Sequence, residues 1–186
     1  MISRVYISHD ETDEDLALQL SRALGRVGLE SYAALYNLSP GISRVEKVFF
    51  AVSNSECLVA LLTRDGGSFP TVNQEIGLAR GLDRLILPLL EERAELPFLI
   101  KHLWPIVFTR EQYSDAVGSL IKTFRDLTTL EWLKVSCPHC AEEMTQYLPP
   151  QEEVDRAVVK GSCLETLCSY CQNKISLDPQ TFASLG

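Results

Sequence analysis

Over residues 1–130 the chain alternates short runs of β-formers with stretches of helical periodicity, and this alternation constrains its fold more than any other feature. Five runs read as strands: VYIS (5–8), SYAA (31–34), LVALL (58–62), LILPL (85–89) and a weaker PIVF (105–108). Between them apolar residues recur at helical spacing. Leu16, Leu20, Ala23, Leu24 and Val27 make one stripe, and Val45, Val48, Phe49 and Val52 a second. Ile76, Ala79 and Leu82 make a third, and Val117, Leu120, Ile121, Phe124 and Leu127 the last. Thr12 and Asp15 have the spacing of a capping box ahead of the first stripe. Helical crossovers between strands predict an α/β fold, a five-stranded parallel sheet with helices on both faces. Right-handed crossovers then favour the flavodoxin-like order 2-1-3-4-5.

In that order the first and third strands are neighbours. The loops that follow them leave in opposite directions and open a crevice at the C-terminal ends of the strands. Those loops are SHDETD (8–13) and TRDGGSFPTVNQE (63–75). The topology sets Ser8 and His9 opposite Glu75, with Asn73 beside it, and Ser8 and His9 are expected to contact a bound ligand. YNLSPGISR (36–44) ends the second strand on the same rim, and Pro40-Gly41 suits a turn whose second central residue needs positive φ. Glu75 also has a purely local account. In the first turn of a helix capped by Thr71, a carboxylate gains about 0.3–1 kcal/mol from the macrodipole and is kept ionised by it. No Ser-His-Asp order, P-loop or G-x-G-x-x-G supports a hydrolase-triad, kinase or dehydrogenase reading.

With 186 residues, 46% apolar and 23% charged, the chain has room for one ordinary domain and a small appendage. Its net charge of −8 argues against a nucleic-acid partner. MISRVYISHDETDED turns acidic before any long apolar run, unlike a secretory signal. No apolar run approaches the ~18 residues that span a bilayer, so a cytoplasmic protein with no membrane partner is expected.

Six cysteines are unevenly spread. Cys57 opens a strand run and reads as a small buried hydrophobe. The others fall after residue 136, a pattern that in a reducing compartment reads as metal before disulfide. CPHC (137–140) and CSYC (168–171) form two C-x2-C pairs, and the segment resembles a zinc ribbon. A structural zinc held by Cys137, Cys140, Cys168 and Cys171 is expected, since two C-x2-C knuckles bring four thiolates into a tetrahedron with no open position. Cys163 and His139 are spare donors, and two redox dithiols are the alternative. A region of about fifty residues builds little core alone, so metal binding would supply folding energy. From Leu133 onward Lys134, Arg156, Lys160 and Lys174 face seven acids, which again argues against nucleic acid and favours a docking or self-assembly role. The boundary falls near TLEWLKVS, giving units 1–132 and 133–186. Trp132 and Leu133 are expected to pack the two together, and 146–156 to form a polar loop or short helix.

Four stretches in order, VYISHDETDED, YNLSPGIS, CLVALLT and VNQEIGLARGLDRLILPLL, resemble a TIR domain, particularly the bacterial and archaeal kind. TIR domains include adaptors that assemble through one another and enzymes that cleave NAD⁺. The resemblance implies the same five-stranded fold and puts Glu75 at the enzymes' essential glutamate, within W-x-x-x-E. Here Thr71 holds the tryptophan position, and Phe69 or, from the facing loop, Tyr36 could supply the missing aromatic. Ser8, His9, Tyr36, Gly41, Phe69 and Asn73 are then the substrate-binding candidates. The resemblance also implies a homo-oligomer built through TIR–TIR contacts at the loop 36–44.

The chemistry needs only one carboxylate. Nicotinamide departs from a pyridinium that is already cationic, so no general acid is required, and a nearby negative charge stabilises the oxocarbenium-like transition state. Water as acceptor gives ADP-ribose, and the substrate's own adenine or ribose gives a cyclic isomer, in a reaction that could serve defence signalling. A non-catalytic adaptor is the first alternative, favoured by Thr71. A nucleoside deoxyribosyltransferase-like enzyme, acting on nucleosides and ignoring NAD⁺, is a second.

Overall fold

The structure, a computed structural model, describes residues 2–33, 41–64 and 70–185. Strands β1 (Arg4–Ser8), β2 (Glu30–Tyr32), β3 (Cys57–Leu62), β4 (Leu85–Glu91) and β5 (Ile106–Phe108) form one sheet in the order β2-β1-β3-β4-β5. Every pairing in it is parallel. The crossovers carry helices α1 (Glu14–Arg26), α2 (Arg44–Ser53) and α3 (Pro70–Gly81), and α4 (Tyr113–Leu127) follows β5. The fold and strand order are those expected from the periodicity. The second strand is shorter than expected, stopping at Tyr32.

Strand alternation divides the core between the two faces. Val5 and Ile7 of β1, with Cys57, Val59 and Leu61 of β3, share one cluster with Leu20 and Leu24 of α1 and Leu120 and Phe124 of α4. Tyr6, Leu58, Ala60 and Leu62 point to the other face, against Val52 of α2 and Ile76 and Ala79 of α3. Cys57 is fully buried, and burial pushes its thiol up to about 12, so it behaves as the small hydrophobe anticipated. Pro88 is tolerated inside β4 because β5 pairs only with Leu89–Glu91, leaving no ladder on that side of Pro88.

Two helix starts differ from expectation. Asp10 caps a 3-10 turn over Glu11–Asp13, its carboxylate accepting from the Thr12 N–H at 3.2 Å, and α1 follows from Asp13 with no side-chain cap bond. That turn takes up the residues a Thr12–Asp15 box would have needed. The reciprocal box forms instead at α2, where Ser43 Oγ accepts from the Glu46 N–H at 3.2 Å and Glu46 accepts from the Ser43 N–H at 3.0 Å.

Beyond α4 lie an antiparallel hairpin of β6 (Trp132–Ser136) and β7 (Glu143–Tyr147), helix α5 (Gln151–Lys160), and a sheet of β8 (Leu164–Leu167), β9 (Lys174–Leu177) and β10 (Ser184–Leu185). Three turns in this region share one geometry. In each, the first residue's N–H donates to the sixth residue's carbonyl, and the fifth residue's N–H returns to the first residue's carbonyl. The fifth residues, Ala141, Gln172 and Phe182, all have positive φ, at 61, 59 and 55°. Cys137 and Cys168 open the first two turns. Asp178 opens the third, its carboxylate accepting from the Gln180 and Thr181 N–H groups at 3.0 and 2.7 Å. A carboxylate thus closes by hydrogen bonds a turn of the kind that cysteines open elsewhere.

This region packs on the outer side of α1 and α4. Leu133, Val135, Ile175 and Phe182 belong to the same buried cluster as the α1 and α4 side chains. Arg26 Nη1 donates to the Thr181 carbonyl at 3.2 Å, Arg125 Nη2 to the Pro149 carbonyl at 2.7 Å, and Lys122 pairs with Asp155 at 2.8 Å. Gly118 lets Gln180 approach so closely that an added Cβ would lie 3.2 Å from it. Leu133 performs the packing expected of it. Trp132 does not: half exposed, it stacks on its cross-strand neighbour Tyr147 at 4.6 Å, because alternation along β6 turns it away from the core.

Candidate functional site

Ser8 ends β1, in register with Ala60 of β3, and points to the α2–α3 face because it lies two residues after Tyr6. There its Oγ donates to Glu75 Oε2 at 2.5 Å. The Tyr6 hydroxyl also favours the charged form of this carboxylate. Glu75 is only 4% exposed. Burial raises its pKa above the ordinary glutamate value, opposed by the Ser8 bond, by Tyr6 and by the Arg44 charge. The local account of Glu75 is therefore corrected. Helix α3 begins at Pro70, no acid occupies its first turn, and Glu75 lies in the second, beyond the reach of the macrodipole. Thr71 lies inside the helix and is not its cap.

Beside Glu75 a groove of about 400 Å³ runs between α2 and α3. Val45, Val48 and Phe49 form its apolar wall, Arg44 stands at the start of α2, and Thr71, Gln74 and Leu78 share the α3 side with Glu75. Thr71 and Glu75, four residues apart, face the groove together.

The other candidates are distributed differently. His9 is buried with its Nδ1 2.8 Å from the Asp10 carbonyl, inside its own loop, and it does not line the groove. Asn73 is half-buried, and Gln74 lines the groove in its place. Gly41 has φ +88°, the conformation for which a Pro-Gly turn needs glycine. Tyr36 and Phe69 lie outside the described residues.

Two features escaped the sequence reading. Tyr6 looks like a core residue of an apolar strand, and only its spacing from Ser8 hints at a shared partner. The second is a buried polar cluster at the sheet's C-terminal rim. Thr63 Oγ1 donates to Asp13 Oδ2 at 2.6 Å, and Arg110 lies 3.5 Å from Asp13 and 3.3 Å from Glu91. Glu91 also accepts from the Arg64 N–H at 2.8 Å. The cluster ties the loop after β1 to the ends of β3 and β4.

At the far end of the chain the sulfurs of Cys137, Cys140, Cys168 and Cys171 lie within 4.8 Å of one another, a group that could hold a metal ion. Cys137 approaches Cys171, and Cys140 approaches Cys168, each at 3.7 Å. The backbone N–H of Cys171 leads in pulling the Cys168 thiol down, while its neighbours in the same cluster push Cys140 up. Cys163 is exposed and outside the cluster, as is the His139 side chain, whose residue contributes a backbone N–H to Cys137 Sγ at 3.4 Å.

The family profile for the TIR domain matches residues 5–121, more than half of the chain. The chain belongs to the TIR domain family. The match ends inside α4, so the cysteine-bearing region lies outside it. Among solved structures, the TIR domain of the Toll-related receptor TRR-2 from Hydra magnipapillata is similar in fold. It shows 20% identity and a TM-score of 0.56, over 68% of this chain and 98% of that one. A prokaryotic SEFIR domain follows at 16% identity and a TM-score of 0.51, over 64% and 96%. Clostridium botulinum CMP N-glycosidase BcmB aligns too loosely to bear on function, at 18% identity and a TM-score of 0.48, over 65% and 98%. No curated protein matches the TIR chain in sequence. Among the described residues no helix is long and apolar enough to cross a membrane.

Proposed function

We propose that this TIR protein cleaves the nicotinamide–ribose bond of NAD⁺, with Glu75 as its catalytic residue. One observation carries the reading: a buried carboxylate, oriented by the Ser8 hydroxyl, lines an open groove beside the C-terminal end of β1. Ser8 holds the carboxyl in place. Burial favours its neutral form, and a nicotinamide cation beside it would favour the ionised form that the transition state needs. Val48 and Phe49 offer a flat apolar surface for a ring. His9, Asn73 and Gly41 are proposed as secondary contacts, and Tyr36 and Phe69 as the aromatic partners of the nicotinamide. The product is nicotinamide with ADP-ribose or a cyclic isomer, in a cytoplasmic homo-oligomer assembled through TIR–TIR contacts and acting in defence signalling.

Residues 1–132 are proposed as the catalytic unit and 133–186 as a zinc-ribbon-like unit. Zinc bound to thiolates at about 2.3 Å places neighbouring sulfurs roughly 3.8 Å apart in a tetrahedron. The two 3.7 Å separations fit that donor set. Four thiolates complete the shell, so the ion's role would be structural.

A non-catalytic adaptor is the second reading, favoured by Thr71 in the tryptophan position. The two separate when concentrated protein is incubated with NAD⁺ and the products are resolved by mass, beside Glu75→Gln. Nicotinamide release that vanishes in the folded variant supports catalysis. No release from the assembled wild type supports the adaptor.

A further inference from the structure

Arg44 opens α2 and lines the groove that holds Glu75. Its guanidinium also extends to the turn between β1 and α1, where Nη1 meets Glu11 Oε1 at 2.9 Å. One ion pair thereby joins the start of α2, on the groove, to the loop after β1 that carries Ser8 into the site. Its side chains are 47% and 71% exposed, so water competes for both charges and the pair exchanges readily. The Arg44 charge nevertheless acts on Glu75 and Tyr6 at the base of the site. Among the described residues lining the groove, Arg44 is the cation, and its neighbours Val45, Val48 and Phe49 are apolar. A ligand with an aromatic end on the apolar wall would therefore set an anionic end at Arg44.

We infer that Arg44 selects phosphate-bearing nucleotides over nucleosides, and that Glu11 competes with the phosphate for the same guanidinium. The inference rests on the reading of the groove as the substrate site. A guanidinium binds two phosphate oxygens in its planar fork, a stronger contact than one exposed carboxylate. The phosphate displaces Glu11 on binding, and an uncharged ribonucleoside has nothing to displace it with. Removal of the two partners must then act in opposite directions. If the pair only braced these two segments, both removals would act alike.

The test is calorimetric titration of the full chain with ADP-ribose and, separately, with adenosine. Arg44→Gln should weaken ADP-ribose binding about tenfold, the scale of a charge-assisted hydrogen bond. Glu11→Gln should tighten it about two- to fivefold, the scale of an exposed ion pair. Adenosine binding should respond to neither, and Arg44→Lys should restore part of the ADP-ribose affinity. The inference is overturned if ADP-ribose binds no tighter than adenosine, or if both variants shift its affinity the same way. Nicotinamide release from NAD⁺ and from nicotinamide riboside is measured in parallel. Failure to cleave either, with the opposed binding shifts intact, would remove the catalytic reading and leave phosphate selection standing. Cleavage of both with a rate ratio unmoved by Arg44→Gln would do the reverse.

Discussion

Strand β3 of the parallel sheet buries all six of its residues, whereas none of the five strands after Leu130 buries more than two. The difference follows from what covers each. Helices lie on both faces of the parallel sheet, so its central strand is apolar throughout. The later strands have one covered face, resting on α1 and α4, and their turns are closed by cysteines or by Asp178. The sheet is stabilised by burial. The cysteine-bearing region borrows part of its core from the sheet's helices and would take the rest from an ion.

The largest test of that contrast is removal of the proposed metal. A chelator, or Cys168→Ser, should abolish amide protection in β6–β10 while β1, β3 and β4 stay protected, since structural zinc supplies most of the folding energy of such small units. Equal loss of protection across both regions by hydrogen exchange would show a single cooperative unit and break the comparison.

Next in size is the chemistry at the sheet's rim. Glu75→Gln should lower nicotinamide release about 10²–10³-fold, the usual scale for removing a preorganised charge-stabilising group. Wild-type release should climb as pH rises through the elevated pKa of Glu75, since the proposed mechanism uses its ionised form. The stability effect has the opposite sign. A carboxyl with a raised folded pKa loses stability as pH rises from the unfolded value through the folded one. Glu75→Gln should therefore match wild type near pH 4 and exceed it in melting temperature at pH 7–8. A variant less stable than wild type at pH 8 would contradict the burial argument.

Third, Leu61→Ala in β3 should cost about 2–5 kcal/mol, against about 0.5–1.5 for Ile175→Val in β9, measured by urea unfolding. An effect of comparable size, but dependent on pH, belongs to Glu56, at the opposite rim. Although burial opposes it, the Ser3 and Arg4 N–H groups at 3.0 and 2.7 Å, with the Arg4 side chain, hold its carboxyl down to about 2. Its stabilisation is complete above the unfolded value of 4.5 and fades as pH falls toward 2. Glu56→Gln should cost roughly 1–2 kcal/mol at pH 7, discounted for solvent screening, and almost nothing near pH 2. A pH-independent cost would mean that shape, not charge, matters there.

Much of this architecture was legible in order of residues. The strand runs at 58–62 and 85–89 and the stripe through Val117–Leu127 are long enough to be read without context. The two C-x2-C spacings anticipated four sulfurs that the fold gathers within 4.8 Å. Local competition was harder to read. Asp10 and Thr12 can both cap a helix, and the choice depends on where β1 releases the chain. Trp132 and Leu133 are both large and apolar, and one residue of alternation decides which is buried.

What the sequence determined alone is everything carried by periodicity and short spacing: the α/β class, the neighbouring places of β1 and β3, and the paired cysteines. These are set by a few neighbouring residues, whose side chains point where backbone geometry sends them. Tertiary structure alone decided that Ser8 meets a glutamate some seventy residues away, that this glutamate lies past the first turn of α3 and is buried, and that Arg44 reaches Glu11. Those meetings depend on the register of β1 on β3 and on where α3 begins. Desolvation depends on every atom that packs around the carboxyl, which no short stretch of the chain encodes.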